Sequence, residues 1–308
     1  MTNIGPSKTT LVTGGTRGIG LMTAEQLCGR GHHVVLTGRT PASAEQAVAR
    51  IRQRVPAASV EGAALDLGSL QSVRAFAASQ AASERPLNAL ICNAGVMERL
   101  PEIRRSQDGF ELMFAANHLG HFLLAALLLP RLLRSAPSRV VVVSSRWSAP
   151  GSSGPQLDFD FDNLDGHKSY DPVVFYKNSK LANLWFAFEL ARRLEGTGVT
   201  VNAVCPGFVP ASLAESQQGF QRLFTKYLLA RLPVANSPAK AAANTVFVAT
   251  DPAYASRTGK FVGECQEVVA YEEARDPAKA ERLWQLSCKL CGIDETVVNA
   301  ARAVRKPA

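Results

Sequence analysis

The stretch from Thr10 to Gly29 constrains this chain more than any other. Thr10, Leu11 and Val12 read as the end of a buried strand, and Thr13-Gly14-Gly15-Thr16-Arg17-Gly18-Ile19-Gly20 reads as a turn. From Ile19 the pattern becomes helical, with Ile19, Met22, Thr23, Gln26 and Leu27 at steps of three and four. A strand that opens directly onto a helix N-terminus presents unpaired main-chain N–H groups and the positive end of the helix dipole, a setting that binds phosphate. Gly14 and Gly18 let a pyrophosphate approach the backbone, and Gly20 lets the helix sit close on the strand. The spacing is Gly14-x-x-x-Gly18-x-Gly20 rather than G-x-G-x-x-G. A glycine-rich turn is also compatible with a plain tight turn, so its meaning depends on the rest of the chain.

Beyond the turn, strands and helices alternate. Strand-like runs recur at His33–Thr37, Val60–Leu65, Leu87–Cys92, Val140–Val143, Val199–Val204 and Lys260–Val269. Helical stretches separate them at Pro41–Arg54, Ser69–Ser83, Gly109–Arg134, Val173–Glu195 and Pro238–Thr250. Such a pattern specifies an α/β fold, a mostly parallel sheet with helices on both faces. With right-handed crossovers it predicts a single doubly wound Rossmann-type domain of seven strands in the order 3-2-1-4-5-6-7. The whole chain, 1–308, is expected to be one domain, with a core at about 8–270 and a C-terminal helical extension over 271–308. Ligands of such sheets lie across the carboxyl ends of the strands, so the residues just after each run are the ones that matter.

Composition narrows the function. The net charge of +8 could suit nucleic acid, but the arginines are scattered and no aromatic residues interleave them, so no nucleic-acid partner is expected. Six cysteines without paired spacing make no disulfide framework. Cys28, Cys92 and Cys205 read as reduced core residues, and Cys288-x-x-Cys291 lacks a second pair or a nearby histidine. Met1–Lys8 has no apolar signal region, and the longest unbroken apolar run, Phe122–Leu129, is too short to span a bilayer. The sequence therefore predicts no transmembrane segment and a cytoplasmic location, with a homo-oligomer compatible. No metal is expected. His118 and His121 lack a third ligand and read as helix residues packing near Asn117. Leu157–Asp165 resembles the start of a calcium loop but has Asn163 at the sixth position and Ser169 at the twelfth; its alternation predicts a short edge strand.

The strand ends carry the chemistry. After the second run stands Arg39, where an NAD site would place a carboxylate for the ribose hydroxyls. Arg39 with Arg17 from the turn suits a 2′-phosphate and favours NADP(H). Asp66 and Leu67 follow the third run, where a carboxylate could bind an adenine amino group; Asn93, Ala94 and Gly95 follow the fourth and let a cofactor lie against the strand end. The fifth run ends in Ser144-Ser145, and the next helix begins with Tyr176 and Lys180 on one face, four residues apart. A phenol titrates too high to exchange protons readily at neutral pH, and an adjacent ammonium or cationic nicotinamide lowers it toward the working range.

From about Lys8 to Val269 these residues, in this order, resemble the short-chain dehydrogenase/reductase family. The resemblance implies that Gly14, Thr16, Arg17, Gly18, Ile19 and Gly20 form the phosphate turn and that Asn93-Ala94-Gly95 lies beside the cofactor. It also implies a catalytic tetrad: Tyr176 as acid/base, Ser145 orienting the carbonyl, Lys180 on the nicotinamide ribose and Asn117 holding a relay water. Cys205-Pro206-Gly207 with Val209 resembles the segment that closes over the nicotinamide. Asn117-His118-Leu119-Gly120-His121-Phe122, Ser179-Lys180-Leu181-Ala182-Asn183 and Ala280-Glu281-Arg282-Leu283-Trp284 are similar to one branch, that of retinol dehydrogenases, WW-domain-containing oxidoreductase and protochlorophyllide reductase. Three departures stand out. Ser145 and Tyr176 are 31 residues apart, Ala211 stands where the family has threonine, and the N-terminus carries no membrane anchor such as many retinol dehydrogenases have, which argues against a retinoid in particular.

The expected activity is hydride transfer between NADP(H) and the carbonyl or alcohol of a bulky, apolar or aromatic small molecule. The alternatives are a C=C reductase of the protochlorophyllide-reductase type and a catalytically silent nucleotide-sensing scaffold. The complete set of Asn117, Ser145, Tyr176 and Lys180 favours an enzyme, because a sensor has no use for a tuned phenol. Ala211–Pro233 is the expected substrate lid, which Phe208, Phe220, Phe224 and Tyr227 could line, unless they form an ordinary packed helix face.

Overall fold

The structure is a computed structural model that describes residues 7–149, 152, 157–210 and 235–296. Its first half runs β1 (Thr9–Val12), α1 (Gly18–Gly29), β2 (His33–Gly38), α2 (Pro41–Arg54), β3 (Val60–Ala64), α3 (Leu70–Ala81) and β4 (Ala89–Cys92). The second half runs α4 (Leu112–Arg134), β5 (Ser138–Val143), α5 (Pro172–Arg193), β6 (Val199–Cys205) and α6 (Pro238–Thr250). A short hairpin, β7 (Phe261–Gly263) with β8 (Gln266–Glu267), precedes α7 (Pro277–Cys291). All eight strands join one sheet in the order β3-β2-β1-β4-β5-β6-β7-β8. β1, β2, β4 and β6 are buried from end to end, as strands of a parallel sheet covered on both faces must be.

The expected order of the first seven strands is found, and the count rises to eight. The run Lys260–Val269 is not one strand: Glu264 and Cys265 both take left-handed backbone angles, φ 52° and 60°. Two consecutive left-handed residues make the tight turn of a hairpin, and β8 folds back antiparallel on β7.

α4 differs from the continuous helix expected over Gly109–Arg134. It starts at Leu112, capped by the Glu111 carboxylate, which accepts from the Phe114 N–H at 2.7 Å. Ala115–Leu119 is then wound as a π segment, in which the Gly120 N–H reaches back five residues to Ala115. The 23-residue helix is long and apolar enough to cross a membrane by length and composition, although its unbroken apolar run is short. In this fold 89% of its most apolar window is buried.

The alternation over Leu157–Asp165 does not make a strand. Phe159 and Phe161 both turn onto Trp185, with ring centroids 4.7 and 5.9 Å from it, while the Asp160 carboxylate accepts from the Asp162 N–H and from Lys168 to form turns. The period of two records which side chains face inward, without a neighbouring strand to pair. α7 is integral to the core: Leu283, Trp284 and Cys288 are buried in it, and Trp284 meets the Phe122 ring of α4 at 5.0 Å. The expected lid, Ala211–Pro233, lies outside the described residues.

Candidate active site

The turn after β1 is fixed by close backbone approach. Gly14 and Gly18 hold φ of 65° and 53°, and a Cβ on Gly20 would sit 2.2 Å from the Gly14 carbonyl oxygen. The Gly15 N–H donates to the Thr37 carbonyl at 2.9 Å and the Gly14 N–H lies 3.3 Å from the Thr37 hydroxyl. The turn that carries Arg17 is thereby stitched to the end of β2, two residues before Arg39; both arginines are exposed. Thr16 and Ile19 are half-buried in the same turn. Asp66 follows β3, with its carboxylate accepting from the Gly68 N–H at 2.9 Å, and Leu67 is buried beneath it.

Asn93 is engaged with the turn itself. Its amide donates to the Thr13 carbonyl at 2.8 Å and so braces the turn from the neighbouring strand end. Ala94 packs against Gly14, where an added Cβ would come within 2.9 Å. Gly95 marks the convergence of the second half of the site: a Cβ there would stand 3.3 Å from the Lys180 Nζ and 3.5 Å from the Asn117 Oδ1.

Asn117 projects from the π segment, and its side chain is fully engaged. Its Oδ1 accepts from the Val96 N–H at 2.7 Å; its Nδ2 donates to the Val96 carbonyl and to the Ser179 Oγ, both at 2.9 Å. Ser179 in turn donates to the Tyr176 carbonyl at 2.7 Å, so one buried hydroxyl ties Asn117 to the helix that carries Tyr176 and Lys180. The Lys180 Nζ lies 5.7 Å from the centre of the Tyr176 ring and 3.3 Å from the Val143 carbonyl.

The two serines after β5 separate cleanly. Ser144 is buried and donates to the Lys180 carbonyl at 2.7 Å, which fastens the strand end to α5. Ser145 is half-buried, and its Oγ accepts from the Trp147 N–H at 3.0 Å. Trp147 then stands 5.9 Å from the Tyr176 ring, with the Lys177 Nζ 5.6 Å above it. Burial pushes the Tyr176 phenol up to about 12 and holds the Lys180 ammonium down to about 8. In this chain by itself the phenol is raised by its burial and keeps its proton at neutral pH.

Pro206, Gly207 and Val209 follow β6. Asn236 bonds the Pro206 carbonyl through its side chain and the Phe208 carbonyl through its N–H, at 3.2 and 2.7 Å. Asn244 spans the Cys205 and Val262 carbonyls. Sequence reasoning did not single out Ser179, Trp147, Asn236 or Asn244; the Tyr-x-x-Ser-Lys order was the only local signal for Ser179.

The chain that carries this site is similar to known proteins. Residues 8–154 match the family model described as short chain dehydrogenase. Human retinol dehydrogenase 14 is 38% identical over 299 residues, covering 93% of this chain and 87% of that protein. Mouse retinol dehydrogenase 12 is 40% identical, covering 94% and 87%. The chain belongs to the short-chain dehydrogenase/reductase family. Within it, these relatives place the chain in the retinol dehydrogenase branch. Among solved structures, an uncharacterised protein from Mycobacterium paratuberculosis superimposes with a TM-score of 0.71 at 32% identity, over 94% of this chain and 96% of that one. The chain is thus an oxidoreductase that acts on alcohol or carbonyl groups and uses a nicotinamide dinucleotide.

The residues of this dehydrogenase/reductase fit such a dinucleotide. No side chain caps the N-terminus of α1 and no acidic residue lies in its first turn, so its main-chain N–H groups face an anion without competition. A Cβ on Gly14 would press on Ala94 at 2.9 Å, and one on Gly95 would crowd the Lys180 Nζ at 3.3 Å, so small residues keep this cradle open.

Proposed function

We propose that this enzyme is an NADP(H)-dependent oxidoreductase of bulky, apolar or aromatic aldehydes, ketones or alcohols, with Tyr176 as the acid/base. The observation that carries this reading is the approach of Lys180 and Asn117 to Gly95, with the Tyr176 ring beside Lys180. When bound, the dinucleotide supplies or accepts the hydride. Tyr176 holds a proton at neutral pH and donates it to the developing alkoxide in reduction. Ser145 orients the substrate oxygen, and Lys180 holds the nicotinamide ribose and opposes charge on the phenolate. Asn117 ties the π segment to α5 through Ser179 and supports the proton relay. Gly14, Thr16, Arg17, Gly18, Ile19 and Gly20 bind the pyrophosphate; Asp66 and Leu67 border the adenine, while Pro206, Gly207 and Val209 border the nicotinamide. Asn93, Ala94 and Gly95 shape the cradle.

Support for an apolar substrate comes from the Trp147 ring beside Tyr176 and from relatives named for retinol. Support for NADP(H) comes from two exposed arginines after adjacent strand ends, where a carboxylate would repel a 2′-phosphate. Charged hydrogen bonds contribute about 1.5–3 kcal/mol each, and exposure holds these near the lower end. Initial rates with retinal, aromatic aldehydes and quinones should therefore favour NADPH over NADH by roughly 10–1000-fold in kcat/KM. Arg39→Asp should reverse the preference, mainly through KM. Equal use of the two coenzymes by the unaltered enzyme would show that neither arginine reads the phosphate.

A further inference from the structure

His121 lies on α4, one turn beyond Asn117, and is wholly buried. Its Nδ1 is 2.9 Å from the Asn117 main-chain carbonyl, and its Nε2 is 2.8 Å from the Thr13 hydroxyl, 108 residues away in the chain. A carbonyl only accepts, so Nδ1 carries a proton. The Thr13 Oγ accepts from the Asn93 N–H at 2.9 Å and from the Ala94 N–H at 3.1 Å. With both lone pairs of the hydroxyl taken, a proton on Nε2 would find none free; the Thr13 proton has the Ile91 carbonyl at 3.2 Å and the imidazole at 2.8 Å within reach, and the imidazole is the nearer. Nε2 is therefore the acceptor, and the ring is the neutral Nδ1–H tautomer. Burial also disfavours a cation here, as does the neighbouring Lys180 charge.

We propose that His121 is a positioning residue that couples the dinucleotide turn to the π segment that carries Asn117. One ring nitrogen orients the Thr13 hydroxyl, on which the main-chain N–H groups of the cofactor cradle rest. The other holds the carbonyl of Asn117 at the π segment. The imidazole thereby ties together two parts of the site that lie 108 residues apart in the chain. His118, three residues earlier, is engaged elsewhere. Its Nε2 meets Ser287 of α7 at 2.8 Å and it sits among Phe114, Phe122 and Phe186. The coupling rests on the proposed catalytic role of Tyr176 for its effect on turnover, but not for its effect on binding or on the tautomer.

The test uses two partial mimics in the full chain. The amide nitrogen of His121→Asn replaces Nδ1, keeping the bond to Asn117 and losing Thr13. The longer side chain of His121→Gln replaces Nε2, keeping Thr13 and losing Asn117. The Asn variant should keep kcat within about threefold and raise the NADPH dissociation constant about three- to tenfold. The Gln variant should bind NADPH within about threefold and lose kcat about tenfold. A merely structural role predicts that both constants move together with melting temperature in both variants, and that outcome overturns the proposal, as does no change in either. Should the variants fail to fold, 15N spectra of the histidine-labelled unaltered enzyme still decide: a proton on Nε2 of His121 rather than Nδ1 refutes it. Tyr176→Phe is run alongside. If that variant turns over normally, the catalytic reading has failed, while the NADPH affinities and the spectra still judge His121.

Discussion

Between Thr13 and Gly20 the backbone takes its path from close approaches that a side chain would block, whereas between Ala115 and His121 it is held by side-chain hydrogen bonds. In the turn, Gly20 packs against the Gly14 carbonyl and Gly14 against Ala94, at separations that exclude a Cβ. In the π segment, every polar atom of the Asn117 side chain is hydrogen-bonded, and His121 adds a bond to its carbonyl. The glycines of the turn lie within eight residues, and Asn93, Ala94 and Thr37 press on it from the neighbouring strand ends. The π segment is a long-range device, with partners on four other parts of the chain. A binding loop can be built from backbone sterics alone, but a group that must hold and pass protons needs polar side chains, and buried polar side chains need partners.

The adjacent serines sharpen this contrast most. Ser145→Ala should lower kcat by about 10²-fold, the scale of losing one donor to a developing oxyanion, with little change in melting temperature. Ser144→Ala should do the reverse: it removes the buried bond to the Lys180 carbonyl, costs about 1 kcal/mol and lowers the melting temperature by roughly 2–4 °C. Paired calorimetry and steady-state rates on the two variants check this. If Ser144→Ala alone lost activity without melting earlier, the assignments of the two serines would be exchanged.

Gly20→Ala tests the turn. Its methyl group would meet the Gly14 carbonyl at 2.2 Å and the Asn93 amide at 2.4 Å, and neither backbone nor braced amide can give way cheaply. Overpacking of this kind costs about 1–3 kcal/mol, so NADPH affinity should fall about tenfold in a fluorescence titration while Tyr176 and Lys180 stay in place. Unchanged affinity would mean that the turn relaxes freely and that its glycines are not the constraint.

A further contrast concerns Glu111, which caps α4 ahead of the π segment. Burial raises its carboxyl from 4.5 to about 7. The folded chain therefore binds more protons at this group than the unfolded chain between those values, and its contribution to stability is lost as pH rises through them. Glu111→Gln should remove that trend, so the stability of the native chain relative to the variant should decline from pH 4.5 to about 7. His118 and His121 have the opposite dependence but are common to both proteins and cancel in the difference. Urea titrations across that window, showing a constant difference, would place the titration elsewhere.

How much of this was legible in the sequence depends on the same contrast. The turn, the strand order and the Tyr176–Lys180 pair were visible because each depends on short spacing: glycines two and four apart, runs of β-branched residues, an i, i+4 step on a helix. The short β7–β8 hairpin was hidden because Glu264 and Cys265 are unusual residues for a left-handed turn. The loop at Leu157–Asp165 reads as a strand because inward-facing aromatics imitate its period. The roles of Thr13, His121, Asn236 and Asn244 were not legible at all. Two histidines three apart look alike in sequence, yet one reaches Ser287 and the other Thr13, and only the folded chain separates those partners.

The central claim is that Tyr176 gives and takes the proton during hydride transfer. Tyr176→Phe deletes that hydroxyl while keeping the ring against Trp147 and Lys180. Single-turnover reduction of an aromatic aldehyde by bound NADPH, followed at the coenzyme's absorbance, should slow by about 10²–10⁴-fold, with the NADPH dissociation constant unchanged. A Phe variant that keeps most of the native rate would contradict the account.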